Sequence, residues 1–160
     1  MSNLIERVNP YIGLPYIDGL QDCYGLVRRV YLEHFGMQLR NYARPVGFDH
    51  CGVDLIEDNF RREGFLVIEV PLTELEPGDG LLFRVASKLI NHVGVLTQGD
   101  MFLHHLYQRA STHDFLDPRW KNRLAYVVRH PDVTEFNQRN REKLNLLDLI
   151  PPHLRMRFET

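Results

Sequence analysis

"HVGVLTQGDMFLHHLY", residues 92–107, reads as two apolar runs joined by the turn formers Gln-Gly-Asp. Short runs rich in Val, Leu and Phe, with a Gly-containing connection between them, specify an antiparallel β-hairpin. This stretch decides the fold because its surroundings repeat the pattern. "LVIEV" (66–70) is closed by Pro71, "GLLFRV" (80–85) follows the turn "EPGDG", and "AYVVRH" (125–130) ends the series. Five short strands with hairpin-length connections describe an antiparallel sheet.

Helices precede the sheet. Residues 22–34 place Leu26, Val27, Val30 and Tyr31 at helical spacing, with Asp22 at the N-cap position and Gly36 as the stop. "CGVDLIEDNFRREGF" (51–65) carries Val53, Ile56 and Phe60 at spacings of three and four and ends at Gly64, which predicts a second helix. Between them "RNYARPVGFDH" (40–50) is irregular, and "YIGLPYIDG" (11–19) is a loop rich in turn formers. Beyond Pro131 a polar stretch, "DVTEFNQRNREKLN", gives way to the apolar "LLDLIPPHLRMRF", which predicts a C-terminal helix and an extended tail. The chain thus divides into a domain over 1–130 and a C-terminal segment over 131–160. Its fold class is α+β, with N-terminal helices on a central antiparallel sheet.

Composition removes several functions. The chain has 160 residues, 44% hydrophobic and 25% charged, enough for one domain with a real core. A net charge of -2 gives no basic field to draw it onto nucleic acid or an anionic membrane. No run of eighteen apolar residues occurs and the N-terminus lacks a basic-then-apolar leader, so neither a membrane anchor nor a signal peptide is expected. The two cysteines, Cys23 and Cys51, form no metal-binding or disulfide framework, which suits synthesis in a reducing cytoplasm.

Cys23 opens the first predicted helix. There the unpaired backbone N–H groups and the helix dipole favour a thiolate. An ordinary thiol, with a pKa of about 8.5, is only roughly 3% ionised at pH 7, so such a placement matters. The competing reading is plain packing, since free cysteines are among the most buried residues. Packing is also the reading for Cys51, which has no supporting feature. A nucleophilic thiol needs a base and something to orient that base. Among eight histidines, His92 opens an apolar strand, and His104 follows twelve positions later across the hairpin. His104 and His105 point to opposite sheet faces, and spacing alone does not rank them. His34, His50, His113, His130 and His153 read as surface residues.

"DCYGLV" (22–27), "LEPGDGLLF" (75–83) and "NHVGVLTQGDMFLHH" (91–105) together resemble, in order and separation, the signature blocks of the NlpC family of cysteine peptidases. The resemblance spans about 10–128 and, within the family, is nearest to the NlpC domains of bacteriophage tail assembly proteins. It implies a papain-like α+β fold and hydrolysis of peptidoglycan stem peptides, at the bond between D-γ-glutamate and diaminopimelate. It makes Cys23 the nucleophile, His92 the base and His104 the orienting residue. Tyr16, in "GLPYIDG", matches a tyrosine whose hydroxyl lies near the oxyanion. Asp22 matches an acidic residue that helps hold the free amino end of the stem peptide, besides its N-cap reading. No cofactor or metal is implied.

The sequence departs from the family in a short 16–23 segment, in Tyr24 after the cysteine and in Gly80 after the Pro-Gly-Asp turn. The first two are expected to reshape the pocket. A second class of function stands beside the enzyme: a structural tail-tip assembly or plug component with vestigial hydrolysis. Its apolar C-terminal segment would dock on other tail-tip proteins. Either way the resemblance implies synthesis in the host cytoplasm and residence in the virion tail tip.

Overall fold

The structure is a computed structural model and describes residues 7–45, 47, 52 and 54–151. Cys51, His50, Val53 and the tail 152–160 lie outside the described residues.

Helix α1 is Cys23–Phe35. Asp22 starts it: the backbone there is extended and the carboxylate accepts the Gly25 N–H at 2.8 Å. Gly36 ends it in the left-handed region at φ 70°, returning its N–H to Leu32. The face predicted from spacing is the buried one, with Val27, Val30 and Tyr31 inaccessible to solvent. Gly25 is required by close packing, because a Cβ at that position would collide with the Leu20 carbonyl. Helix α2, Leu55–Arg62, buries Ile56 and Phe60, the two described positions of its predicted apolar stripe.

Among the described residues six strands form one antiparallel sheet: β1 Leu66–Ile68, β2 Gly80–Phe83, β3 His92–Gln98, β4 Met101–His104, β5 Thr112–Phe115 and β6 Leu124–Arg129. Their order is β1-β6-β2-β3-β4-β5. Five of these match predicted strands. The sixth, β5, was not anticipated: "THDF" has no apolar alternation and is a strand because the edge of β4 pairs with it over four residues. A four-residue helix, α3 (Pro118–Lys121), also went unread and is capped by Asp117, which accepts from Trp120 N.

Alternate residues of the strands divide the core between the two sheet faces. Leu82, Val93, Val95 and Leu103 pack with α1 and α2. Leu81, Phe83, Leu96 and Phe102 pack instead with Trp120 of α3. The Pro-Gly-Asp turn is pinned from three sides. Asp79, fully buried, takes a two-point ion pair from Arg129 at 2.6 and 2.8 Å. Tyr31 of α1 donates to Gly78 O at 2.8 Å. Asn137 of α4 (Pro131–Asp148) donates to Pro77 O at 2.9 Å. Val133, near the start of α4, is fully buried, whereas residues 141–145 are exposed.

Candidate active site

One cleft of about 530 Å³ opens beside the start of α1 and the head of β3, and Cys23, His92, Tyr16 and Asp22 all border it. Cys23 is the first residue of α1 and 8% exposed. The backbone N–H groups of Val93 and Tyr24 point at its sulfur and favour the anion, as does the nearby Arg44. Burial outweighs them and, with Asp22 adjacent, pushes the thiol up to about 12. The contact with Val93 ties the cysteine to the residue that follows His92.

His92 is buried, with its ring stacked on Trp120 at 5.7 Å and tilted against Phe83 at 5.9 Å. Its Nε2 lies 3.1 Å from Nδ1 of His104. Burial, then the neighbouring His104 and His105, hold its pKa well below the ordinary histidine value, so the ring is neutral at pH 7. His104 is fully buried and likewise lowered by burial. Its Nε2 faces Asp114 Oδ2 at 2.9 Å and Thr112 Oγ1 at 3.1 Å. These two imidazole nitrogens are committed to each other and do not converge on a cation.

The register settles which histidine meets His92. His104 pairs with Gly94, so it shares a sheet face with His92 two residues away. His105 takes the other face. It lines the cleft, donates Nε2–H to Arg109 O at 2.9 Å and packs its ring edge-on against Tyr16 at 5.3 Å.

Tyr16 stands in the cleft wall between His105 and Tyr107. Its loop is held by Ser111, which pairs with Gly13 N, Leu14 N and Leu14 O at 2.8–3.0 Å. Burial, with Cys23, Asp22 and Asp18 nearby, drives its hydroxyl far above the usual phenol range, and it remains an O–H donor at neutral pH. Asp22 borders the cleft, but its oxygens accept from Gly25 N, Gly19 N and Arg44 Nε at 2.8–3.1 Å. The N-cap reading is visible directly. Any hold on a substrate amine would be shared with Arg44.

Sequence reading missed Arg44, Trp120, Thr112 and Asp114. Arg44 comes from the irregular stretch and lies 4.8 Å over the ring of Tyr24. Tyr24 itself is fully buried in the core and does not line the cleft, whereas the guanidinium above it does. Trp120 walls the two imidazoles, 4.7 Å from His104 and 5.7 Å from His92. Thr112 and Asp114 sit on β5, the strand that lacked a periodic signal.

Helices against an antiparallel sheet, with a helix-start cysteine and a strand-borne histidine at one cleft and a second histidine behind it, define an α+β domain of papain-like kind. The chain belongs to the NlpC/P60 family, whose model matches residues 13–129. It is 30% identical over 126 residues to tail tip assembly protein K of Escherichia phage N15, covering 78% of this chain and 51% of that protein. To the protein of the same name from Escherichia phage lambda it is 29% identical over 125 residues, covering 78% and 61%. The chain therefore spans about half to three fifths of the length of these curated relatives. Among solved structures, the NlpC/p60 domain of the peptidoglycan hydrolase SagA is 20% identical with a TM-score of 0.54, covering 79% of this chain and 95% of that one. An NLP/P60 family protein similar to lipoprotein from Staphylococcus aureus is 21% identical with a TM-score of 0.53, covering 79% and 39%. These structures share the fold.

Proposed function

We propose that the chain is a cysteine peptidase that hydrolyses peptidoglycan stem peptides, with Cys23 as nucleophile, His92 as base and His104 as the residue that orients it. The observation that carries this is the placement of Cys23 and His92 on one cleft, with His104 behind His92. Cys23 abuts the head of β3, and His92, one residue away, turns Nε2 to His104 at 3.1 Å. That leaves Nδ1 as the nitrogen free to work.

The resting pair is a neutral thiol beside a neutral imidazole, because burial disfavours both charged forms. Proton transfer therefore accompanies attack. The Cys23 S–H proton passes to His92 as the sulfur bonds to the scissile carbonyl carbon. The backbone N–H at the helix start and the Tyr16 hydroxyl donate to the oxyanion. As the C–N bond breaks, His92 returns the proton to the leaving amine. Water, deprotonated by the same ring, then hydrolyses the thioester. The bond between D-γ-glutamate and diaminopimelate is the proposed target. The test is digestion of purified muropeptides by the wild-type chain and by Cys23→Ala, read by mass spectrometry. Cleavage by the first and none by the second supports the proposal, and the product masses name the bond; cleavage by neither contradicts it.

The setting we propose is a bacteriophage tail tip, reached from the host cytoplasm, in line with the names of the tail tip assembly relatives. Among the described residues no helix is long and apolar enough to cross a membrane. One observation favours a second, structural reading. Residues 141–145 of α4 are exposed, with Leu144 half accessible and Leu149 just beyond the helix more so. In this reading 131–160 is a docking segment for other tail-tip proteins, distinct from the peptidase domain over 1–130. An inert Cys23 combined with binding of tail components that is lost on truncation after residue 140 would favour it over the enzyme.

A further inference from the structure

His104 reaches His92 through one ring nitrogen and Asp114 through the other, at 3.1 and 2.9 Å. An ionised carboxylate only accepts hydrogen bonds, while a neutral imidazole carries one N–H and one bare nitrogen. These two facts together determine where every proton in the row must sit. Opposite Asp114 Oδ2, Nε2 of His104 has to carry the hydrogen. Its Nδ1 is then bare and accepts, so the hydrogen in the 3.1 Å contact belongs to Nε2 of His92. Nδ1 of His92 is left bare, in the only form able to take a proton from a thiol.

With the hydrogens shifted one place, the His104 Nε2 lone pair would face a carboxylate oxygen and His92 would carry its hydrogen on Nδ1, inert as a base. Thr112 does not make this choice. Its hydroxyl, 3.1 Å from the same Nε2, both donates and accepts, and fits either arrangement. Two neutral rings are the relevant state, since burial lowers both histidines.

We propose that Asp114 is a fourth member of the site, a positioning residue on β5 that sets the tautomers of His104 and, through it, of His92. It acts at two removes from the thiol, in the way an acidic residue orients a catalytic histidine from behind, except that a second imidazole stands between. Its carboxylate is partly exposed, at 44%, so it completes the row from the solvent side of a buried pair. The inference rests on the reading of His92 as the base.

The test is the imidazole ¹⁵N NMR spectrum of the full chain at pH 7, with Cys23 alkylation by iodoacetamide measured in parallel. In the wild type both His92 and His104 should be the Nε2–H tautomer. In Asp114→Asn the side-chain amide can donate to His104 Nε2, so His92 should gain Nδ1–H character and alkylation of Cys23 should slow about tenfold, the scale of an outer-layer orienting contact. Asp114→Glu should restore both. Nδ1–H on His104 in the wild type would overturn the proposal whether or not any variant folds. So would Asp114→Asn with unchanged tautomers and unchanged alkylation. Tautomers that follow Asp114 in a chain that cleaves no muropeptide would uphold this inference while removing the peptidase reading.

Discussion

Nε2 of His92 and Nδ1 of His104 stand 3.1 Å apart across the β3–β4 hairpin, with Trp120 against both rings. In the proposed mechanism this contact holds His92 in one orientation. His104→Ala should therefore lower kcat for muropeptide cleavage by about 10²-fold or more, the scale of acid–base assistance. KM should change little, because His104 does not border the cleft.

The buried histidines should also make stability depend on pH. His92 and His104 have pKa values below the ordinary histidine value in the folded state, with burial the leading cause. Below about pH 6.5 the unfolded chain takes up protons that the folded chain refuses, so stability falls as pH falls through that value. Each such histidine contributes a slope of up to about 1.4 kcal/mol per pH unit. Urea unfolding at pH 7.5, 6.5 and 5.5 should show decreasing stability. His104→Gln should flatten the dependence.

Asp22 and Arg44 form a buried pair, Nε to Oδ2 at 2.8 Å, with side chains 6% and 2% exposed. Removing one partner strands the other charge, which typically destabilises by about 3–5 kcal/mol. Asp22→Ala also removes the N-cap of α1, worth about 1 kcal/mol more. Asp22→Asn keeps the cap through its amide oxygen but turns an NH2 toward the Gly19 N–H and Arg44 Nε that Oδ2 accepted, so its urea midpoint should lie between those of wild type and Asp22→Ala.

Tyr16 keeps its proton across the working pH range because burial and neighbouring acids raise its pKa. If Tyr16 donates to the oxyanion as proposed, Tyr16→Phe removes that donor while keeping the ring contacts to His105 and Tyr107. The expected loss is about 10²-fold in kcat, with the thermal midpoint unchanged, read from steady-state cleavage and a melting curve.

Much of this arrangement was legible because it follows local rules. Asp22, the apolar stripe of α1 and Gly36 each act within a few residues of themselves, and the β3–β4 hairpin is carried by its own turn. The choice between His104 and His105 was not local, since it depends on the Gly94–His104 register that only the paired strands define. Strand β5 was hidden for a related reason. Its four residues become a strand through an edge partner rather than through their own pattern, and Asp114 and Thr112 were hidden with it. Arg44 was invisible because nothing in an irregular loop indicates which side chain will turn inward to meet Asp22.

The most direct test of the account is to trap the thioester. Wild-type chain mixed with stem peptide, quenched in acid and digested should yield the peptide containing Cys23 heavier by the acyl fragment of the substrate, and Cys23→Ala should yield neither adduct nor cleavage products. Cleavage that persists in Cys23→Ala, or wild-type chain that gives neither product nor adduct, would contradict Cys23 as the nucleophile.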